Sequence, residues 1–243
     1  MVRRTGDRVG EMVEYPLVDG TAGGRVGGGY LAAAHEGAGL GVVVIQEWWG
    51  LEDHIKDVCE RFAAEGCTAL APDLFHGSTV PHGEPDEADK AAMALDLPRA
   101  AGELSGAVDF LLDHPMVRGR AIGVVGFCIG GGLALWLATL RPDRVAAVVP
   151  FYGLIPWSAV QPDYARMEAA VEGHYAEDDD MAGPPAVEKL QDTLTGLGKD
   201  VKTFLYPGTH HAFFNDTRPD VYDEEAARVA WVRTLEHLRS KLG

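Results

Sequence analysis

The chain has 243 residues, 47% of them hydrophobic and 24% charged, which is ordinary for a globular protein and enough to bury one sizeable core. Its formal net charge of -16 argues against a nucleic-acid partner or an anionic membrane surface, and no apolar run is long enough to cross a bilayer. Three cysteines, Cys59, Cys67 and Cys128, form neither a disulfide framework nor a metal-type pair, so a reducing, cytoplasmic setting is expected.

The opening MVRRTGDRVGEM is basic but has no apolar segment or cleavage site of a secretory leader. Residues 1–11 are therefore expected to be a loosely ordered extension, and 12–243 a single domain. Residues 12–18 and 25–34 read as two opening strands, joined as a hairpin near Asp19-Gly20. The glycines around Gly27-Gly28-Gly29 do not make a dinucleotide fingerprint, because no helix follows them. Residues 41–46 (GVVVIQ) read as a buried strand, and Glu47-Trp48-Trp49-Gly50-Leu51 as the loop leaving it. A helix is predicted over 53–64, a strand over 68–71, an exposed loop over 78–86 and one long helix over 88–112. Further strands are predicted over 145–151, 169–175 and 201–206, and further helices over 184–197 and 224–242. Strands alternating with helices in this way predict an α/β fold with a mostly parallel central sheet and helices on both faces.

The stretch 121–140, AIGVVGFCIGGGLALWLATL, is the pivot of that pattern. A buried strand runs into a buried helix, and Cys128 stands at the apex between Gly126 and Gly130. A residue on such a bend has strained backbone angles, which neighbouring glycines accommodate by removing side chains. The free N–H groups at the following helix start favour a thiolate and an oxyanion there. A buried structural cysteine is the plainer alternative. In a sheet of this type ligands gather at the carboxyl ends of the strands. There the sequence places Glu47, Cys128, the acids Glu177 to Asp180, and His210-His211.

Five segments taken together resemble the dienelactone hydrolase family of α/β-hydrolases, from about Val13 to the C-terminus. They are Gln46 to Leu51, Ala71-Pro72-Asp73-Leu74-Phe75, Gly126 to Gly131, Gly173 to Asp179, and Tyr206 to Phe213. The resemblance implies Cys128 as nucleophile, Asp179 as the acid that orients the base, and His211 as the base. His210 and the other three acids of the run are the competing candidates. It also implies that Glu47 helps to take the proton from sulfur, a salt bridge or helix-end contact being the structural alternative for that residue. The backbone N–H groups of Ile129 and Trp48 are expected to form an oxyanion hole.

Trp49, Phe75, Phe127, Tyr152, Trp157 and Phe214 are expected to wall an apolar acyl or aryl pocket, core packing being the alternative for each. The family's dienelactone-cleaving members hold a substrate carboxylate with two arginines. The corresponding positions here are Gly77 and Asn215, with Arg218 the nearby substitute, so a neutral ester or a lactone fits better than dienelactone itself. The expected activity is hydrolysis of esters or lactones through a thioester, with no cofactor and no metal, by a monomer or homodimer. Neutral phosphotriesters form an alternative substrate class. Metal binding by His174, His210, His211 and the acidic run fits no standard spacing, and a non-catalytic ligand-binding relative is the remaining alternative.

Overall fold

The computed structural model describes residues 10–18 and 24–243. The turn predicted near Asp19-Gly20, and residues 1–9 of the predicted extension, lie outside the described residues. Glu11 already opens the first strand.

Among the described residues, eight strands form one sheet in the order β1-β2-β4-β3-β5-β6-β7-β8. Strands β1 (Glu11–Pro16) and β2 (Val26–Ala32) pair antiparallel, as expected of a hairpin, and β2 pairs antiparallel with β4 (Cys67–Pro72). The remaining strands, β3 (Leu40–Ile45), β5 (Ile122–Phe127), β6 (Val145–Phe151), β7 (Ala170–Asp178) and β8 (Val201–His210), run parallel with their neighbours and β4. The central strands have near-continuous apolar runs because both faces are covered, and β3, β4 and β5 are buried along their whole length.

Helices α1 (Asp53–Ala64) and α6 (Glu224–Leu242) cover one face and meet through Phe62 and Trp231, whose rings lie 4.5 Å apart. Helices α3 (Leu97–Asp113) and α4 (Ile129–Leu140) cover the other, tied by an Arg141–Asp109 ion pair of 2.6 Å. Helix α5 (Pro184–Gly196) packs on β7 and β8.

The single helix expected over 88–112 is in fact two, α2 (Pro85–Met93) and α3. Asp96 ends the run: its carboxylate accepts the Arg99 N–H at 3.1 Å and caps α3, whose first turn contains Pro98. Strands β7 and β8 run further than expected. After an irregularity their pairing resumes at Asp178 opposite His210, so Asp179 and His211 leave adjacent strands side by side.

Candidate active site

Cys128 sits between β5 and α4 with φ 55° and ψ -123°, a conformation that non-glycine residues rarely hold. The bend is tight enough to specify both flanking glycines. A Cβ on Gly126 would come within 2.0 Å of the Gly130 carbonyl oxygen, and one on Gly130 within 2.5 Å of the Gln46 carbonyl oxygen. Cys128 is 3% exposed.

His211 leaves β8 and presents its imidazole between two groups. Its Nδ1 donates to Asp179 Oδ2 at 2.8 Å. On its other side stands Cys128, and Nε2 is buried there without a hydrogen bond of good geometry. Burial disfavours protonated His211. The charge of Cys128 and the hydrogen bond and charge of Asp179 overcome that effect and push its pKa up to about 10. Ala212 follows in a left-handed conformation, φ 68°, turning the chain sharply under the ring.

Asp179 is the member of its acidic run whose side chain is buried; Glu177, Asp178 and Asp180 are exposed. Its Oδ1 accepts the N–H groups of Met181 at 2.8 Å and Ala182 at 3.0 Å. Burial raises its pKa, but the hydrogen bonds and charge of His211 and these two N–H groups outweigh burial and hold it below the ordinary value. Glu177 has a different task, accepting the Gly208 N–H at 2.9 Å. His210 is exposed.

Glu47 is 1% exposed at the end of β3. Tyr152 donates its hydroxyl to Oε1 at 3.2 Å and Asn215 donates Nδ2–H to Oε2 at 2.9 Å. Asn215 cannot turn its amide round without loss, because its Oδ1 already accepts the Thr217 N–H at 3.1 Å and hydroxyl at 2.6 Å. Burial, and the nearby charges of Glu47 and Cys128, push the Tyr152 phenol well up, so it remains a donor. The sequence shows Asn215 only as a missing cation. Its contact with Glu47 bridges 168 positions, and nothing in the local pattern signals it.

Trp48 is half-buried in the loop after β3, and its backbone N–H makes no hydrogen bond among the described residues. Ile129 is the first residue of α4, where an N–H has no partner within the helix. Of the six predicted pocket residues, Phe75 alone is partly exposed. Phe127 and Phe214 stack at 5.3 Å inside an aromatic layer with Phe151, and Tyr152 lies edge-on to His211 at 5.1 Å. Trp49 is held between the rings of Trp48 and His82, with the Arg218 guanidinium 5.7 Å from its centroid. Trp157 is fixed to α2, its Nε1–H donating to the Ala92 carbonyl at 3.0 Å. Phe127, Phe214 and Tyr152 thus stand as a packed floor, not as an open wall.

His174 is fully buried between Tyr206 and Thr234, and burial pushes its pKa down to about 3. Among the described residues no group of three metal-ligating side chains is brought together.

With this geometry in hand, the model of the dienelactone hydrolase family matches residues 28–242. The chain belongs to the dienelactone hydrolase family. A relative from Aquifex pyrophilus, named Protein usf, is 36% identical over 220 residues, covering 88% of this chain and 93% of its own. Among solved structures, a dienelactone hydrolase-like promiscuous phosphotriesterase from metagenomic libraries matches with a TM-score of 0.80 at 23% identity, covering 96% of this chain and 99% of that one. A hyperthermophilic esterase from Pyrobaculum calidifontis matches with a TM-score of 0.70 at 17% identity, over 95% and 83% of the two chains. These likenesses establish the α/β-hydrolase fold; the family match makes the chain a member of a hydrolase family.

Proposed function

We propose that this family member hydrolyses carboxylic esters or lactones with Cys128 as nucleophile, His211 as acid and base, and Asp179 as the group that orients His211. The observation that carries the reading is the imidazole held between a buried, fully hydrogen-bonded carboxylate and a thiol on a strained strand-to-helix bend. His211 takes the Cys128 thiol proton through Nε2. Sulfur attacks the carbonyl carbon, and the N–H groups of Ile129 and Trp48 receive the oxyanion. Collapse breaks the bond to the leaving oxygen, which takes the His211 proton and departs as an alcohol. The thioester remains. Neutral His211 then removes a proton from water as it attacks the acyl carbon, and collapse expels thiolate beside the renewed imidazolium. Losing one oxyanion donor typically costs about a hundredfold or more in rate.

In the free protein Glu47 accepts from Asn215 and from Tyr152, whose ring packs against His211, and not from sulfur. Any exchange of proton with Cys128 requires it to leave one of those donors when substrate enters. Trp48, half-buried in the loop after β3, supplies an aromatic side chain next to its own proposed oxyanion donor. With Gly77 and Asn215 where the family's dienelactone-cleaving members have arginines, a neutral ester or lactone suits the site better than dienelactone. Three free cysteines suit a reducing compartment. The oxyanion donors would also serve a phosphoryl oxygen, so a neutral phosphotriester is a second substrate class for the same thiolate.

Turnover of a p-nitrophenyl ester tests the reading. Iodoacetamide should abolish it and a chelator should leave it unchanged; full activity after alkylation of Cys128 would refute it.

A further inference from the structure

Away from the thiol, a cavity of about 300 Å³ opens between the segment after β4 and the joint between α2 and α3. That volume is at the lower end of the range of small-molecule pockets. None of Cys128, His211, Asp179 or Glu47 lines it. Its body is apolar, walled by Phe75, Val80, Ala91 and Leu95. The break at Asp96 that separates the two helices, together with the small side chains of Ala91 and Ala94, leaves the space open.

The polar end is built around Glu103, whose side chain is 2% exposed. Its Oε1 accepts both Arg99 Nε–H and His76 Nε2 at 2.8 Å, while Oε2 is buried and has no partner. A buried carboxylate oxygen without a donor is costly to leave so. His76 is held towards it in a left-handed conformation, φ 52°, by Asp73, which accepts the N–H groups of Phe75 at 3.2 Å and Gly77 at 2.6 Å. Arg99 already balances the charge of Glu103. The missing partner is therefore a neutral donor and not a second cation.

We infer that this cavity is a binding site for a small apolar alcohol or phenol, whose hydroxyl donates to Glu103 while its hydrocarbon body fills the space against Phe75 and Leu95. The site is separate from the catalytic one, so it stands whether or not Cys128 is a nucleophile. Calorimetric titration with 2-naphthol, 2-methoxynaphthalene and 2-naphthoate tests it. 2-Naphthol should bind the intact protein and the Cys128-alkylated protein equally. The methyl ether, which cannot donate, should bind roughly tenfold more weakly or worse, and the carboxylate more weakly than 2-naphthol. Ala91→Trp, which fills the cavity and touches no charge, should abolish binding and leave ester turnover intact. Glu103→Gln should erase the preference for 2-naphthol over its ether. Equal binding of the two, tighter binding of 2-naphthoate, loss of binding on alkylation, or unchanged binding in Ala91→Trp would each overturn the assignment.

Discussion

Asp179 and Glu47 are both buried carboxylates at the carboxyl ends of parallel strands, yet their surroundings give them different work. Asp179 accepts two backbone N–H groups on one oxygen and the imidazole of His211 on the other, so its carboxylate faces a titratable ring. Among the described residues Glu47 accepts only neutral donors, a phenol and an amide, and no cation is hydrogen-bonded to it. The first arrangement fixes a carboxylate in place against an imidazole. The second holds a buried carboxylate by neutral donors alone, one of which, Tyr152, packs against His211. Burial alone does not tell the two apart; the charge state of the partners does.

Five substitutions, with His210→Ala as the control, break this comparison at successive points. Removing either partner of the proton transfer, by Cys128→Ala or His211→Ala, should lower kcat for a p-nitrophenyl ester by roughly a millionfold, while His210→Ala leaves most activity. Asp179→Asn should cost about ten-thousandfold, because the amide stabilises neither the tautomer nor the imidazolium. Glu47→Gln should cost on the order of a hundredfold if its charge assists the thiol, and activity equal to wild type would reduce Glu47 to a packing role. Asn215→Ala should have the smallest effect on rate. Its signature is a loss of about 1–3 kcal/mol of stability in denaturant unfolding, since one Glu47 oxygen is left without a donor.

The comparison also has a pH signature. The His211 pKa is raised, so stabilisation from its bound proton is complete below its ordinary 6.5 and is lost as the pH climbs through about 10. The melting temperature of wild type relative to His211→Gln should therefore be most favourable below pH 6.5 and decline towards pH 10. Nuclear magnetic resonance titration should show the His211 pKa falling in Cys128→Ala, which removes the neighbouring charge that raises it.

The layered fold was legible because its signals are local. Apolar runs such as 41–46 and 145–151 announce buried strands, and helix ends such as Asp53 and Leu242 fall where the pattern places them. The bend at Cys128 was legible for the same reason, since Gly126 and Gly130 stand within two residues of it. The break at Asp96 was misread as continuous helix, although Asp96-Leu97-Pro98 is a helix-start signal. The choice of Asp179 and His211 rested on family resemblance, because four acids and two histidines offer the same chemistry locally. Only the β7–β8 register, with Asp178 opposite His210, shows which acid and which imidazole emerge together. The Tyr152–Glu47–Asn215 contacts and the Glu103 cavity join residues remote in sequence, so no window of sequence could display them.

Mass spectrometry of the intact protein, quenched in acid during turnover of p-nitrophenyl acetate, tests the central claim most directly. The account predicts an adduct of one acetyl group, mapped to the peptide containing Cys128, released by hydroxylamine and absent in Cys128→Ala. Turnover with no acyl adduct at Cys128, or with the acetyl group on another side chain, would contradict it.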